Sequence, residues 1–388
     1  MDTKQLDSEY IAPTYARFPV EIVSGKGALC TDADGKEYID MGTGIGVNIF
    51  GYCDDIWLDA VTHQAAVLQH TSNLYYTKPC ATLAAILCEK TGMKKVFFSN
   101  SGAEANECAI KAARKYAQDV HGEEYFNIIT LENSFHGRTL TTLAATGQDE
   151  YHKLFTPLTP GFLYATPNDI DSVKKLLAEN KCAAVMMEII QGEGGVVPLD
   201  ADFIREVRKI TEEQDVLLII DEVQTGNGRT GELYAYMNFG ITPDIVSTAK
   251  GLAGGLPLGA TLLGEKAQNV LTSGTHGSTF GGNPVCCAAA ISVLGRIDDE
   301  LLSSVREKSA YIKSQLENAD GVKAVTGLGL MLGIETEKAA GDVVSKCIEN
   351  GVLVLKAKNK VRLLPPLNID DELFERAVSI IKSSIIQA

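Results

Sequence analysis

Two ionisable residues stand at the ends of two apolar runs near the middle of the chain. Val216–Ile220 leads into Asp221, and Ile245–Val246 leads within a few residues to Lys250. Both runs predict buried strands. Ligands of open α/β sheets bind where such strands end. A lysine held there between Ala249 and Gly251 is desolvated, which lowers its pKa and frees its amine as a nucleophile. Each residue alone also has a plainer reading, the lysine as a surface charge and the aspartate as a cap or ion-pair partner.

Other stretches offer further chemistry. In N-S-G-A-E-A-N-E, Ser101, Gly102 and Ala103 open a helix after the strand-like run Lys95–Ser99. Free backbone N–H groups and the helix dipole there suit an anion, though the same residues also make an ordinary N-cap with Glu104 in the first turn. In S-F-H-G-R-T, Arg138 could clamp a carboxylate with two hydrogen bonds and Phe135 could stack on a planar ring. His136 could be a base, a stacking partner or a structural hydrogen-bonder. Glu188 and Glu193, five apart, could form an acid/base pair, on weak evidence from spacing alone. With six histidines and no H-x-x-H spacing, a catalytic metal is not expected. Gly226, Gly228 and Gly231 match G-x-G-x-x-G, but neither a following helix nor an acidic residue about 20 positions on is evident. They read instead as a tight surface turn beside the site.

The elements that must position these residues alternate. Strand-like Lys95–Ser99, Phe126–Leu131, Ala183–Ile190, Val216–Ile220, Ile245–Val246 and Thr261–Leu263 are separated by helical patterns such as Ala103–Ala117, Ile170–Ala178 and Ala201–Glu213. That order predicts an α/β protein with a mostly parallel sheet covered on both faces. Residues 1–50 read as an irregular arm and short strands, with a hairpin turning at Asp32–Gly35. Residues 51–284 form the large domain. Residues 285–388 form a smaller α+β domain, which the N-terminal strands are expected to join.

Composition sets the bounds. The chain has 388 residues, a net charge of −15 and 45% hydrophobic residues, as expected of a globular protein that binds neither nucleic acid nor an anionic membrane. Its nine cysteines lack a paired spacing, so they read as buried free thiols in a reducing compartment. No leader pattern and no run of about 18 apolar residues is present, which points to the cytoplasm.

A nucleophilic lysine, a carboxylate for a pyridinium nitrogen and an anchored phosphate are together the demands of pyridoxal 5′-phosphate. The sequence resembles the class III (ω-amino acid) aminotransferases, and within them the acetylornithine group. The resemblance runs through F-F-S-N-S-G-A-E-A-N-E, N-S-F-H-G-R-T-L, I-I-Q-G-E-G-G-V-V-P, I-I-D-E-V-Q-T-G-N-G-R-T-G, P-D-I-V-S-T-A-K-G-L, H-G-S-T-F-G-G-N-P and V-R-L-L-P-P-L. It implies fold type I, with a seven-stranded sheet in the large domain. It implies that Lys250 bonds the cofactor, Asp221 holds its ring nitrogen protonated and Gln224 bonds its phenolic oxygen. Val223 and Phe135 would cover the two ring faces, and Ser101, Gly102 and Ala103 would hold the phosphate. Thr279 would reach the phosphate in the other subunit of a homodimer with shared sites. Arg138, with Ser278 nearby, would take the acylated donor's carboxylate, and Arg362 the α-carboxylate of glutamate, with Glu193 as its gate.

The implied reaction passes the amino group of N-acetylornithine to 2-oxoglutarate, in arginine biosynthesis. Rivals are ω-aminotransferases for succinylornithine, ornithine, 4-aminobutyrate or N-succinyl-diaminopimelate. A glycine at position 44, where ornithine aminotransferases resemble one another in having tyrosine, favours the acetylated donor. An aminomutase would not need the Arg362–Glu193 pair, and a non-catalytic relative would not keep both Lys250 and Asp221. Two departures, Ile189 in place of proline and the run Gly51–Asp55 in place of a G-H-x-H-P pattern, fall outside the chemistry.

Overall fold

A computed structural model describes residues 2–388. Three short strands come first, β1 (Ile22–Lys26), β2 (Leu29–Asp32) and β3 (Glu37–Asp40). The large sheet takes β4 (Lys95–Ser99), β5 (Asn127–Leu131), β6 (Phe162–Ala165) and β7 (Cys182–Met187). A small hairpin follows, β8 (Ile190–Gln191) and β9 (Val197–Pro198). Then come β10 (Leu217–Asp221), β11 (Ile245–Thr248) and β12 (Gly259–Leu263). The seven-stranded order is β4-β12-β11-β10-β7-β5-β6. Only β12 is reversed, pairing antiparallel with both β11 and β4.

Both faces of this sheet are buried, and the period-two alternation sorts them. Ile128, Met186, Leu217, Ile219 and Ile245 belong to one apolar cluster, whereas Ile129, Val185, Leu218, Ile220 and Val246 belong to the other. Each such side chain is worth about 1.5–3 kcal/mol when buried, so the sheet can hold polar groups at its ends in fixed places. The helix Gly102–His121 lies over β4, β7, β10, β11 and β12. Ala105, Ala109, Ala112 and Ala113 line its buried face, and their small size brings the helix axis close. Asn106 is the polar exception on that face.

The C-terminal part forms an antiparallel sheet. Its strands are β13 (Val322–Leu328), β14 (Met331–Thr336), β16 (Leu355–Ala357) and β17 (Lys360–Leu363), in the order β13-β14-β17-β16, and β15 (Val352–Leu353) leaves it to run parallel beside β3.

The structure departs from the sequence reading at three places. The N-terminal arm is not wholly irregular. Thr3–Tyr10 is a helix whose capping box pairs Asp2 with Gln5, a local signal that Pro13 and Pro19 obscured. The glycines at 226–231 do not form a surface turn. The segment is buried, and Arg229 at its centre is 1% exposed, donating to the carbonyls of Leu330 and Pro365. The thiols are not all buried either, since Cys53 is exposed.

Candidate active site

The functional candidates gather at the carboxyl ends of the parallel strands. Asp221 closes β10, Glu188 follows β7, the Phe135–Arg138 loop follows β5, and Lys250 follows β11 by two residues. This edge exists because βα units place every strand-to-helix loop on one side of the sheet.

Asp221 is 3% exposed. Its Oδ2 accepts from Asn106 Nδ2 at 2.8 Å and from His136 Nδ1 at 2.8 Å, and its Oδ1 accepts from the Val223 backbone at 3.0 Å. Asn106 is fixed in turn by donating to the His136 carbonyl and accepting from the Ser247 hydroxyl. These bonds compensate the burial of a carboxylate, which otherwise costs several kcal/mol, on the order of that of any lone buried ion. His136 is therefore an orienting partner of Asp221, and its Nε2 is buried without a protein partner.

Lys250 opens a short 3₁₀ turn with φ +45°, in the left-handed region that a non-glycine residue seldom occupies. Burial lowers its pKa, and the Arg362 charge adds to this, against the upward pull of Glu193, Asp221 and Glu188. Among the described residues nothing accepts a hydrogen bond from its amine.

The carboxylates five apart do not work as a pair. Glu188 is buried and accepts from the backbone N–H of Phe135 at 2.9 Å and of Gly192 at 3.4 Å, tying two loops together. Burial, with Asp221 nearby, pushes its pKa up to about 7. Glu193 instead meets Arg362, Oε1 to Nη1 at 2.6 Å. Burial would raise the Glu193 carboxyl, but the Arg362 charge and hydrogen bond outweigh it and hold it below the usual range. Arg362 is 2% exposed and also donates to Gln224 Oε1 at 3.0 Å, while Gln224 Nε2 lies 3.5 Å from Glu193.

At the start of the helix Gly102–His121, Ser101 Oγ accepts from the Glu104 backbone, so the plain capping role is real. The N–H groups of Gly102 and Ala103 remain without protein acceptors among the described residues. A side chain at Gly102 would place its Cβ 2.6 Å from Val223 Cγ1. The valine thus lies directly against the helix start. The Phe135–Arg138 loop reaches the same place, since a Cβ on Gly137 would lie 2.8 Å from that of Ala103. Arg138 is exposed, with its guanidinium 5.4 Å from the Phe135 ring centre and 4.2 Å from that of Tyr151. Ser278 accepts from Asn100 Nδ2 at 3.1 Å, which puts it beside the helix start. Thr279, next in the chain, is exposed and hydrogen-bonded to none of these residues.

Sequence reasoning missed Asn106 and the anchoring role of Glu188. An amide on an otherwise apolar helix face is the available signal for the first.

Pyridoxal phosphate fits this edge on three observations. Unpartnered N–H groups at a helix start, approached closely by backbone, suit its phosphate. A buried, oriented carboxylate at Asp221 suits its ring nitrogen, and the unbonded amine of Lys250 suits its aldehyde carbon. The fold and the site together define a fold type I pyridoxal-phosphate-dependent enzyme.

The family description "Aminotransferase class-III" matches residues 10–385. The chain belongs to that family and is a pyridoxal-phosphate-dependent aminotransferase. It is 51% identical over 380 residues to the acetylornithine aminotransferase of Haemophilus ducreyi, covering 97% of each chain. It is 48% identical over 375 residues to that of Aquifex aeolicus, covering 96% of this chain and 99% of the relative. Among solved structures, the ornithine aminotransferase of Toxoplasma gondii superposes with a TM-score of 0.95 at 33% identity, covering 99% of this chain and 94% of that one. The acetylornithine aminotransferase of Elizabethkingia anophelis superposes with a TM-score of 0.88 at 32% identity, covering 99% and 98%. Among the described residues no helix is long and apolar enough to cross a membrane.

Proposed function

We propose that the chain transfers the terminal amino group of N-acetyl-L-ornithine to 2-oxoglutarate, giving N-acetyl-L-glutamate 5-semialdehyde and L-glutamate, as a cytoplasmic homodimer of arginine biosynthesis. The observation that carries the reading is the pair of unlike arginines. Arg362 is buried and occupied by Glu193, whereas Arg138 is exposed and free of any carboxylate. One pocket must admit a donor whose carboxylate lies far from its reacting amine, then a glutamate whose α-carboxylate lies close to it. An open arginine at the rim and a gated one inside meet both demands. The curated relatives favour the acetylated donor at up to 51% identity. The TM-scores of ornithine enzymes reflect a shared backbone and do not bear on the donor.

The bound cofactor supplies an aldehyde carbon and a conjugated ring that draws electrons away from the substrate's reacting carbon. The residues do the rest. Gly102 and Ala103, with Ser101, would hold the phosphate, and Val223 and Phe135 would confine the ring. Gln224 would turn its amide toward the phenolic oxygen. Asp221, locked by Asn106 and His136, would keep the ring nitrogen protonated. Lys250, with its lowered pKa, would bond the aldehyde carbon at rest and, once displaced, carry a proton between two substrate positions. When glutamate arrives, its α-carboxylate would replace Glu193 on Arg362.

The homodimer is supported by an exposed apolar face. Leu74, Tyr75, Tyr76 and Phe280 stand out beside a cavity of about 420 Å³ that Ser278 and Thr279 also line. In a dimer Thr279 would serve the partner's phosphate site. Comparing kcat/KM for N-acetylornithine, ornithine and 4-aminobutyrate tests the donor. N-acetylornithine should lead by at least about tenfold, and a lead for either other amine would overturn the assignment.

A further inference from the structure

We propose that Tyr151 is a positioning residue that holds Arg138 for the distal carboxylate of the amino donor, and so sets the preference for donors that carry one. The proposal rests on the reading of Arg138 as the donor's carboxylate site. Arg138 makes no hydrogen bond or ion pair with any described residue. What touches it is aromatic: the Tyr151 ring at 4.2 Å and the Phe135 ring at 5.4 Å. With its central carbon over a ring and no hydrogen bond made, the guanidinium has its N–H groups free, and those are what a carboxylate engages with two parallel bonds. Stacking also removes much of the rotamer freedom that an exposed arginine would lose on binding.

Tyr151 is built to stay in place. It sits on the one-turn helix Asp149–His152, and His152 Nε2 bonds the carbonyls of Leu143 at 3.1 Å and Thr146 at 2.7 Å. Gln148, just before that helix, donates from Nε2 to the Ser134 carbonyl at 3.0 Å, fastening it to the loop that carries Phe135 and Arg138. The Phe135 ring meets Tyr151 edge-on, with centroids 6.2 Å apart at 75°. No protein partner engages the Tyr151 hydroxyl among the described residues, so the ring face is the useful part. Arg362 is restrained differently, by in-plane bonds to Glu193 and Gln224, and Tyr151 has no part in that.

The test measures the two half-reactions of the holoenzyme separately. Tyr151→Ala should lower kcat/KM for N-acetylornithine about three- to thirtyfold, chiefly through KM, while the glutamate half-reaction stays within about twofold. Tyr151→Leu, which keeps apolar bulk without a π face, should show the same split, and Tyr151→Phe should restore the parent values. With a donor amine that lacks the distal carboxylate, the Tyr151→Ala effect should vanish. Equal losses in both half-reactions, no loss in either, or failure of Tyr151→Phe to restore would overturn the proposal. Arg138→Gln is the control. If it leaves the N-acetylornithine KM unchanged, the Arg138 assignment fails. If it raises that KM and Tyr151→Ala does not, the role given to Tyr151 alone fails.

Discussion

Arg362 and Arg138 have the same chemistry in opposite settings. Arg362 rises from β17, where it faces Gly333 of β14 and Leu355 of β16 across the sheet, and is 2% exposed. Its charge is matched by Glu193 at 2.6 Å. Arg138 stands on a loop in solvent, restrained by ring faces alone. A buried guanidinium without a counter-ion is costly, so Arg362 needs Glu193 whenever substrate is absent. An exposed one is solvated and needs no substitute. On the proposed reading, burial would confine gating to the inner arginine and leave the outer one open to acyl donors.

The comparison can be broken in several ways. The largest effect should come from Lys250→Ala, which removes the amine that the proposed reading places between the two arginines. Turnover should fall by at least about 10⁴-fold with either substrate, and retained turnover measured by glutamate formation would refute its role. Exchanging the arginines' duties comes next. Arg362→Gln should raise KM for 2-oxoglutarate about a hundredfold and leave the half-buried Glu193 unpaired, whereas Arg138→Gln should raise KM for N-acetylornithine about tenfold with little cost in stability. The same loss with both substrates from either change would mean that the arginines do not divide the work.

A further effect is read in stability instead of turnover and concerns a carboxylate that has burial without a cation. Glu222 is fully buried beside Asp221 and accepts from Thr225 Oγ1 and the Tyr236 backbone. Burial pushes its pKa from 4.5 up to about 7. The folded chain then holds a proton that the unfolded chain has released, so stability falls as pH rises from about 4.5 to about 7. Glu222→Gln should remove that loss, with a stabilisation on the order of 3 kcal/mol that is present at pH 8 and absent near pH 4.5. Denaturant melts at the two pH values would check this, and an identical difference at both would show that Glu222 does not titrate there.

Much of this was legible from residues alone. The strand end at Asp221, the helix Ala201–Glu213 and the run Lys95–Ser99 follow from local apolar pattern, and the structure places them at those residues, with Lys250 two residues beyond its strand. What local pattern does not carry is pairing across distance. Asn106 and Asp221 are 115 residues apart, and Arg362 and Glu193 are 169 apart. In the sequence only family resemblance ties Glu193 to Arg362, and spacing alone makes Glu188 equally suited to acid/base work. Its actual partners are backbone N–H groups, which have no signature in a sequence. Arg229 shows the converse. Glycine-rich spacing suggested a surface turn, but the burial of an arginine on two carbonyls depends on a C-terminal sheet that nothing near position 229 announces.

The parallel pairing of Val352–Leu353 with Ile39–Asp40 bears on biosynthesis. The two segments lie about 310 residues apart, so at about 5–20 residues per second the ribosome delivers the second some 15–60 s after the first. Throughout that interval the outer edge of β3 has its hydrogen-bonding groups open, next to a hairpin already able to form. An open strand edge is a template for pairing with other chains. In the nascent protein that edge of β3 finds its own partner only once Val352 and Leu353 emerge.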